Sequence, residues 1–175
     1  VIVTGRDAAE ADARAKEIGG SAYAADLGTA EGCDRLISDV ERVDILVNNA
    51  GIFQPVDFFQ TDDAIWDRHW QVNVMSAMRL SRALAPGMVD RGWGRIVMLG
   101  SESGFNIPTE MVHYGVSKTA DIALARGLAK RLAGTGVTVN SVLPGPTLSD
   151  GVKAMIEENV KETGESIEEA GARFA

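Results

Sequence analysis

Short apolar runs alternate along the chain with longer segments in which apolar residues recur at helical spacing. Several of the runs are rich in valine and isoleucine with little polar alternation, which is typical of strands buried on both faces. The predicted strands are Val1–Thr4, Ser21–Ala25, Val43–Asn48, Arg95–Leu99 and Val137–Leu143. Strands and helices in this order predict an α/β fold, a Rossmann-like doubly wound parallel sheet with helices on both faces.

The intervening segments are predicted to be helices. They are Asp7–Ile18, Thr29–Val40, Ala64–Leu84 with an extension towards Met88, Met111–Leu132, and Lys153–Lys161. The third helix begins at the capping sequence Thr61-Asp62-Asp63, and Pro86 is expected to bend or end it. No internal repeat, low-complexity tract or linker interrupts the pattern, so residues 1–175 are predicted to form a single domain.

Composition and charge narrow the classes of partner. The chain has 175 residues, of which 45% are hydrophobic and 24% charged, as in globular proteins with a buried core. A formal net charge of -8 repels phosphate backbones and anionic lipids, so neither nucleic acid nor membrane is an expected partner. Cys33 is the only cysteine, which leaves no disulfide or cysteine-based metal site and fits a reducing compartment such as the cytoplasm.

The strongest chemical signal is Tyr114 followed four positions later by Lys118. Residues at this spacing lie one turn apart on the same helical face. An ammonium group near a phenol lowers the tyrosine pKa, which would make Tyr114 a usable general acid or base. For an isolated pair of this kind, a solvated helix face is the more ordinary explanation.

Three loops of small residues follow predicted strands. They are Asn48–Gly51 (NNAG), Gly100–Gly104 (GSESG) and Pro144–Thr147 (PGPT). Each could be a tight turn that needs these residues only for its backbone dihedral angles. Open α/β sheets, however, bind ligands at the carboxyl ends of their strands, and three such loops would line that one edge. The sequence therefore predicts a binding site there.

In combination these motifs resemble the short-chain dehydrogenase/reductase family over nearly the whole chain. The resemblance rests on NNAG after a buried strand, on Ser101 thirteen positions before Tyr114, on YxxxK, and on Pro144-Gly145 after the last predicted strand. Asn73, within Val72-Asn73-Val74, matches a further family position. The resemblance implies an oxidoreductase that interconverts an alcohol and a ketone or aldehyde by hydride transfer with a nicotinamide cofactor.

The same resemblance implies a role for each matching residue. Tyr114 would be the catalytic acid or base, and Lys118 would lower its pKa and hold the nicotinamide ribose. Ser101 would hydrogen-bond the reacting oxygen and stabilise charge there. Asn73 would hold a helix backbone and a water in a proton relay. Ser103 competes with Ser101, but it lies two positions closer to the tyrosine and ranks second.

Arg6 bears on the choice of cofactor. It stands where the second strand of the family ends beside the adenosine ribose, and an arginine there can pair with a 2′-phosphate. NADP(H) is therefore favoured over NAD(H), although Asp7 would repel that phosphate if its carboxylate turned inward. The alternative is that Arg6 only begins an exposed helix.

Asp26 and Leu27 match the adenine-contacting pair of the family, although Asp26 could equally be a helix N-cap. The full set of implied cofactor contacts is Arg6, Asp26, Leu27, Asn48, Ala50, Gly51, Tyr114, Lys118, Pro144, Gly145 and Thr147.

The chain departs from the family pattern at its start. Thr4-Gly5 is followed by no glycine before Gly19, so the glycine-rich cofactor loop is missing and Val1–Gly5 aligns with the second family strand. The domain is thus expected to lack the first βα unit and the last strand, with residues 146–175 as a variable substrate lid. The chain could be the retained part of a longer protein, a truncated inactive form, or a fold in which Val1–Gly5 has moved into the vacant central slot.

Two functions remain open from the sequence. The first is an NADP(H)-dependent alcohol dehydrogenase or carbonyl reductase, and the alternative is a truncated, non-catalytic binding or scaffold derivative of one. An epimerase or dehydratase is disfavoured by the NNAG form. The family implies a homodimer or homotetramer that pairs through the helices carrying Asn73 and Tyr114. His69 and His113 are expected to be structural, and no metal site is predicted.

Overall fold

The computed structural model describes residues 1–145, 147, 153, 156, 157, 160, 161 and 166. The chain divides into two compact units, Val1–Leu143 and Pro144–Ala175. Five residues of the second unit between 153 and 161 are described as helical, and the rest of the predicted helix Lys153–Lys161 lies outside the described residues. The single domain over residues 1–175 and the lid over residues 146–175 stay predictions.

The first unit contains the strands, and every described pairing between them is parallel. The strands are β1 Ile2–Gly5, β2 Ser21–Ala24, β3 Ile45–Asn48, β4 Gly94–Leu99 and β5 Val137–Val142. Within the described residues they form a β1-β2 sheet and a β3-β4-β5 sheet. Because the described pairing of β1 is with β2, the structure excludes the alternative in which Val1–Gly5 fills a central slot beside β3.

Within the described part of the first unit, six α- and π-helical segments and three single-turn 3-10 helices connect these strands. The six segments are α1 Ala8–Glu17, α2 Ala30–Asp39, α3 Asp63–His69, a π-helical segment Trp70–Met75, α4 Ser76–Asp90 and α5 Val112–Arg131. Polar side chains cap the first three α-helices at Asp7, Thr29 and Asp62, whose oxygens accept hydrogen bonds from first-turn backbone N–H groups. Among the described residues, no helix is long and apolar enough to cross a membrane.

Pro86 lies inside α4 and does not end it, so of the two predicted effects, a bend or an end, the end is not seen. The helix continues to Asp90 because its buried face, with Leu80, Ala85 and Met88, is held by the core. Pro86 itself is exposed. Water can therefore reach the backbone carbonyl of Arg82, which loses its helical hydrogen bond to the missing proline N–H.

The three-stranded sheet carries the main core on one face. Met88, Ile96 and Met98 are almost fully buried within it, and α4 and α5 pack against these strands. On β3 burial alternates, so that Leu46 is buried while Ile45 and Val47 are each 57% exposed. Burial of these strands on both faces, expected from their composition, is therefore not seen among the described residues.

Candidate active site

Tyr114 and Lys118 lie in the first two turns of α5, next to the carboxyl end of β4. The Lys118 ammonium is buried, and its Nζ donates a hydrogen bond of 2.8 Å to the backbone carbonyl of Leu99, the last residue of β4. That Nζ lies 5.9 Å from the centre of the Tyr114 ring. The helical spacing and the strand end thus bring the two predicted residues together.

Ser101 follows β4 after Gly100 and is buried beside the phenol. It caps the short 3-10 helix Glu102–Gly104, where its Oγ accepts a 3.1 Å hydrogen bond from the backbone N–H of Ser103. The Ser101 hydroxyl also hydrogen-bonds the Tyr114 side chain, which favours the phenolate. Ser101 is therefore the serine that faces the phenol, and Ser103 contributes its backbone to holding Ser101 in place.

The pKa of Tyr114 differs from the expectation of a lowered value. Burial of the phenol raises its pKa, the hydrogen bond with Ser101 lowers it, and the negative charge of Asp121 raises it further. The Lys118 ammonium is directed to the Leu99 carbonyl and to the Asp121 carboxylate, which neutralises its charge locally. In this arrangement burial, and not Lys118, dominates the ionisation of Tyr114.

Asn73 lies in the π-helical segment and is almost fully buried. Its Nδ2 donates hydrogen bonds to the Ile52 carbonyl at 3.0 Å and to Ser117 Oγ at 2.9 Å. Its Oδ1 accepts a 2.8 Å hydrogen bond from the Ile52 backbone N–H. Ser117 in turn donates to the Tyr114 carbonyl at 2.7 Å. The amide therefore ties the loop after NNAG to the helix that carries Tyr114.

Sequence reasoning missed two residues of this arrangement, Ser117 and Asp121. Ser117 lies within the YGVSK motif, but its link to Asn73 depends on the placement of the π-helical segment, for which the sequence holds no periodic signal. Asp121 lies three positions after Lys118, a spacing that places both on one helical face, so it could have been identified from sequence.

The two histidines form a buried pair behind Tyr114. Their ring centres are 4.3 Å apart, and each ring is 2% exposed. His69 Nδ1 lies 2.8 Å from the Ile65 carbonyl, and His113 Nε2 lies 3.1 Å from the Gln54 carbonyl. The described residues contain no group of three or more potential metal ligands. The structural role of both histidines stays a prediction.

A sequence model described as short chain dehydrogenase matches residues 1–160. The chain belongs to the short-chain dehydrogenase family. It is 42% identical to the uncharacterised oxidoreductase YvaG of Bacillus subtilis over 149 residues, which are 85% of this chain and 56% of that protein. It is also 42% identical to galactitol 2-dehydrogenase (L-tagatose-forming) of Cereibacter sphaeroides over 153 residues, which are 83% of this chain and 60% of that protein. The chain thus spans less than two thirds of the length of these short-chain dehydrogenase relatives.

A solved structure shares the fold of this short-chain dehydrogenase. The L-sorbose reductase of Gluconobacter frateurii, crystallised with NADPH and L-sorbose, superposes with a TM-score of 0.86 at 28% identity. The match covers 95% of this chain and 67% of the reductase. The predicted family and the predicted Rossmann-like α/β fold are confirmed.

The residues of the NNAG loop of this short-chain dehydrogenase have different surroundings: Asn48 and Ala50 contact the core, and Gly51 borders the candidate site. Asn48 is buried, and its Nδ2 contacts Ser81 Oγ and Met98 Sδ, each at 3.2 Å, so its side chain supports the sheet. Ala50 packs on the core. Gly51 is exposed, and a Cβ built there would lie 3.5 Å from Lys118 Nζ. Gly51 is therefore the residue of this loop that leaves room for a ligand beside Lys118.

Asp26 and Leu27 follow β2. Asp26 is not a helix N-cap, because Thr29 caps α2. Its Oδ1 instead accepts a 2.9 Å hydrogen bond from the Gly28 N–H, and its Oδ2 lies 3.4 Å from Arg68 Nη2. Leu27 places its side chain in the core. Only the backbone of Leu27 and the partly buried carboxylate of Asp26 could contact an adenine.

Arg6 is exposed at the end of β1 and belongs to no ion pair found among the described residues. The carboxylate of its neighbour Asp7 caps α1 by accepting hydrogen bonds from Ala9 and Glu10 N–H at 2.8 and 3.0 Å. These hydrogen bonds hold the Asp7 carboxylate at the start of α1, so it is less available to turn towards a 2′-phosphate.

Among the described residues of the second unit, Thr147 Oγ1 donates a hydrogen bond of 3.0 Å to the carbonyl of Gly145, which follows Pro144.

Together these features fit a nicotinamide cofactor. Gly51 lacks the Cβ that would approach the Lys118 ammonium, and Lys118 uses two of its three N–H donors within the protein. Arg6 is an exposed cation, and it aligns with the chain position that lies beside the adenosine ribose in the family. These residues supply hydrogen-bond donors, a cation and open space, which a nucleotide with a ribose and phosphates requires.

Proposed function

We propose that this protein is an NADP(H)-dependent oxidoreductase that interconverts an alcohol and a ketone or aldehyde, with Tyr114 as general acid or base. The observation that carries the proposal is the convergence of Ser101, Tyr114 and Lys118 at the end of β4. A bound nicotinamide supplies or accepts the hydride. The protein has to orient the substrate oxygen and move one proton to or from it.

The hydroxyls of Ser101 and Tyr114 are the groups suited to the substrate oxygen. In the reduction, Tyr114 donates its phenolic proton as negative charge develops on that oxygen, and Ser101 stabilises the charge by hydrogen bonding. Burial strengthens both interactions because the local dielectric is low. Lys118, which has a third N–H donor, would hold the nicotinamide ribose, and Asn73 would fix the loop and helix around the site.

Arg6 supports the preference for NADP(H) because it can pair with the 2′-phosphate that distinguishes this cofactor. The crystallised L-sorbose reductase holds NADPH and has the same fold. Asp26 and Leu27 would contact the adenine, and Asn48, Ala50 and Gly51 would complete the part of the cofactor site in the first unit. Pro144, Gly145 and Thr147 stay cofactor contacts predicted from the sequence.

Small hydroxy or keto compounds are the proposed substrates. Relatives act on galactitol and L-sorbose, which makes polyols and keto sugars the first compounds to assay. One side of the Tyr114 ring meets an apolar group, since the Phe53 ring centre lies 6.2 Å from that of Tyr114. Simple apolar ketones therefore belong in the same panel.

The test is the rate of NADPH oxidation with this panel for the chain and for Tyr114→Phe. We expect the variant to lose at least about a hundredfold in turnover, because the proton donor is gone while the ring remains. Tyr23→Phe is the matched control, since Tyr23 is the other tyrosine and its hydroxyl bonds Asp39 away from the site. Equal turnover in Tyr114→Phe and Tyr23→Phe would rule out the proposed role.

A non-catalytic binding or scaffold protein is the second candidate. It is favoured by the division of the described strands into a two-stranded and a three-stranded sheet. A homodimer or homotetramer, paired through the helices that carry Asn73 and Tyr114, is proposed in either case. A cytoplasmic location stays a prediction.

A further inference from the structure

Asp121 is a buried carboxylate that the proposed reaction does not use. It lies on α5, three residues after Lys118, and is 3% exposed. Its Oδ2 is 3.3 Å from Lys118 Nζ. Its Oδ1 is also buried and has no hydrogen-bond partner among the described residues. A buried carboxylate with one bare oxygen is destabilising unless it is balanced by a nearby charge, and Lys118 is that charge.

The position of Lys118 reflects this pairing. Its ammonium contacts the Leu99 carbonyl and Asp121 and lies 5.9 Å from the ring centre of Tyr114. Lys118 is the charged group that acts on Asp121, and Asp121 in turn acts on Tyr114. The three groups form a short electrostatic chain along one helical face, from carboxylate to ammonium to phenol.

We infer that Asp121 is a positioning residue that acts through Lys118: its carboxylate helps to hold the ammonium at the Leu99 carbonyl and balances its charge, so that loss of the carboxylate makes Tyr114 ionise more readily. The inference deepens the proposed function and rests on it for its meaning in catalysis. The placement of the three groups is a property of the folded chain alone.

The ionisation of Asp121 itself falls in an accessible range. Burial raises its pKa from 3.8 to about 6, against the lowering effect of Lys118. Below that pH the carboxyl is neutral, and the charge of Lys118 is no longer balanced. Above it the buried pair is nearly neutral overall. A pH change through about 6 should therefore alter the surroundings of the phenol while the phenol itself stays protonated, since burial raises the pKa of Tyr114 above its ordinary value.

The experiment observes Tyr114 directly by nuclear magnetic resonance of tyrosine labelled with ¹³C at Cζ. In a Tyr23→Phe background Tyr114 is the only tyrosine, so the spectrum contains one signal. We expect Asp121→Asn to move the titration of Tyr114 to lower pH, because the amide keeps the shape of the side chain and removes its charge. Glu102→Gln is the matched control, since Glu102 is an exposed carboxylate next to Ser101 in the sequence. A folded Asp121→Asn chain with no larger shift than Glu102→Gln overturns the inference.

A second measurement needs no change at position 121. In the Tyr23→Phe chain the Tyr114 signal should show a step near pH 6, at the same midpoint as the side-chain carboxyl signal of Asp121. If Asp121 titrates and the Tyr114 signal stays flat, the inference fails even where Asp121→Asn does not fold.

Neither measurement depends on turnover. Failure of the proposed function would appear as absent NADPH oxidation with the coupling between Asp121 and Tyr114 intact. Failure of the inference would appear as turnover that depends on Tyr114 with no coupling to Asp121. In an active chain we also expect the pH profile of kcat to shift to lower pH in Asp121→Asn, in the direction of the phenol titration.

Discussion

At the scale of single residues, the candidate site combines backbone placement with side-chain hydrogen bonds that orient the Lys118 ammonium. Tyr114, Lys118 and Ser101 come together because a helix turn and a strand end fix their backbones. The direction of the Lys118 ammonium was not predictable, because it depends on the Leu99 carbonyl and on Asp121. A buried donor side chain such as that of Lys118 turns towards the hydrogen-bond acceptors around it, and these are known only once the helices and strands are packed together.

The buried histidines lead to a prediction about acid stability. Burial lowers the pKa of both His69 and His113, and each positive charge would further disfavour the other. The unfolded chain takes up protons near pH 6.5, whereas the folded chain resists them. The free energy of unfolding should therefore fall as the pH drops below about 6.5, by at most about 1.4 kcal/mol per pH unit for each proton.

Urea unfolding at pH 7.5 and 5.5 checks this expectation. Replacing both histidines, by His69→Gln and His113→Gln, should shrink the difference in free energy between the two pH values. Asp121 acts in the opposite sense: its raised pKa makes the folded chain bind a proton first, so acidification from above pH 6 towards 3.8 stabilises the fold. In Asp121→Asn the free energy of unfolding should accordingly fall more steeply as the pH drops from 7.5 to 5.5. An unchanged pH difference in the histidine variant would contradict the prediction.

At the scale of elements, the sequence predicted most helices and strands to within one or two residues. Apolar periodicity and the caps at Asp62 and Thr29 are local signals, and they describe local structure well. The π-helical segment Trp70–Met75 was not predicted, and the sequence left open whether Pro86 would bend α4 or end it. Both depend on packing, which holds a helix on the core against the preference of its backbone.

Pro86 provides a test of this account. Pro86→Ala restores a backbone hydrogen bond to Arg82 at an exposed site and should raise the free energy of unfolding by about 1–2 kcal/mol. That figure combines the gain in the helix with the stiffening that proline gives the unfolded chain. Ala83→Gly, at an exposed site on the same helix, should lower it by about 1 kcal/mol. A loss of stability in Pro86→Ala would mean that α4 needs the proline bend to fit the core.

At the scale of the whole molecule, the α/β class followed from the order of elements, but the pairing of the strands did not. Neighbouring strands in a parallel sheet are joined through long crossovers, so sequence adjacency does not decide which edges meet. Arg6 stands on the β1-β2 sheet, whereas Tyr114 packs beside β4. Binding of one dinucleotide requires both parts to contribute.

Cofactor titration therefore probes the whole assembly. We expect the fluorescence of bound nucleotide to saturate with NADPH at lower concentration than with NADH, and Arg6→Ala to reduce that preference by about tenfold through loss of one charged contact. Arg14→Ala, on the exposed surface of α1, is the matched control. A folded chain that binds neither nucleotide would favour the scaffold function over the enzyme.

The π-helical segment Trp70–Met75 affects how related proteins could lose a residue during evolution. A π turn holds one residue more than the α turn that it replaces. Loss of one residue between Trp70 and Met75 could restore a regular helix from Asp63 to Asp90. The helical turns on either side of the deletion would keep their relative orientation, because the wider π turn accommodates its extra residue locally. A protein with this deletion could retain its core and still lose the hydrogen bond between Asn73 and Ser117. Deletion of a single codon could therefore preserve the fold and disrupt the candidate site.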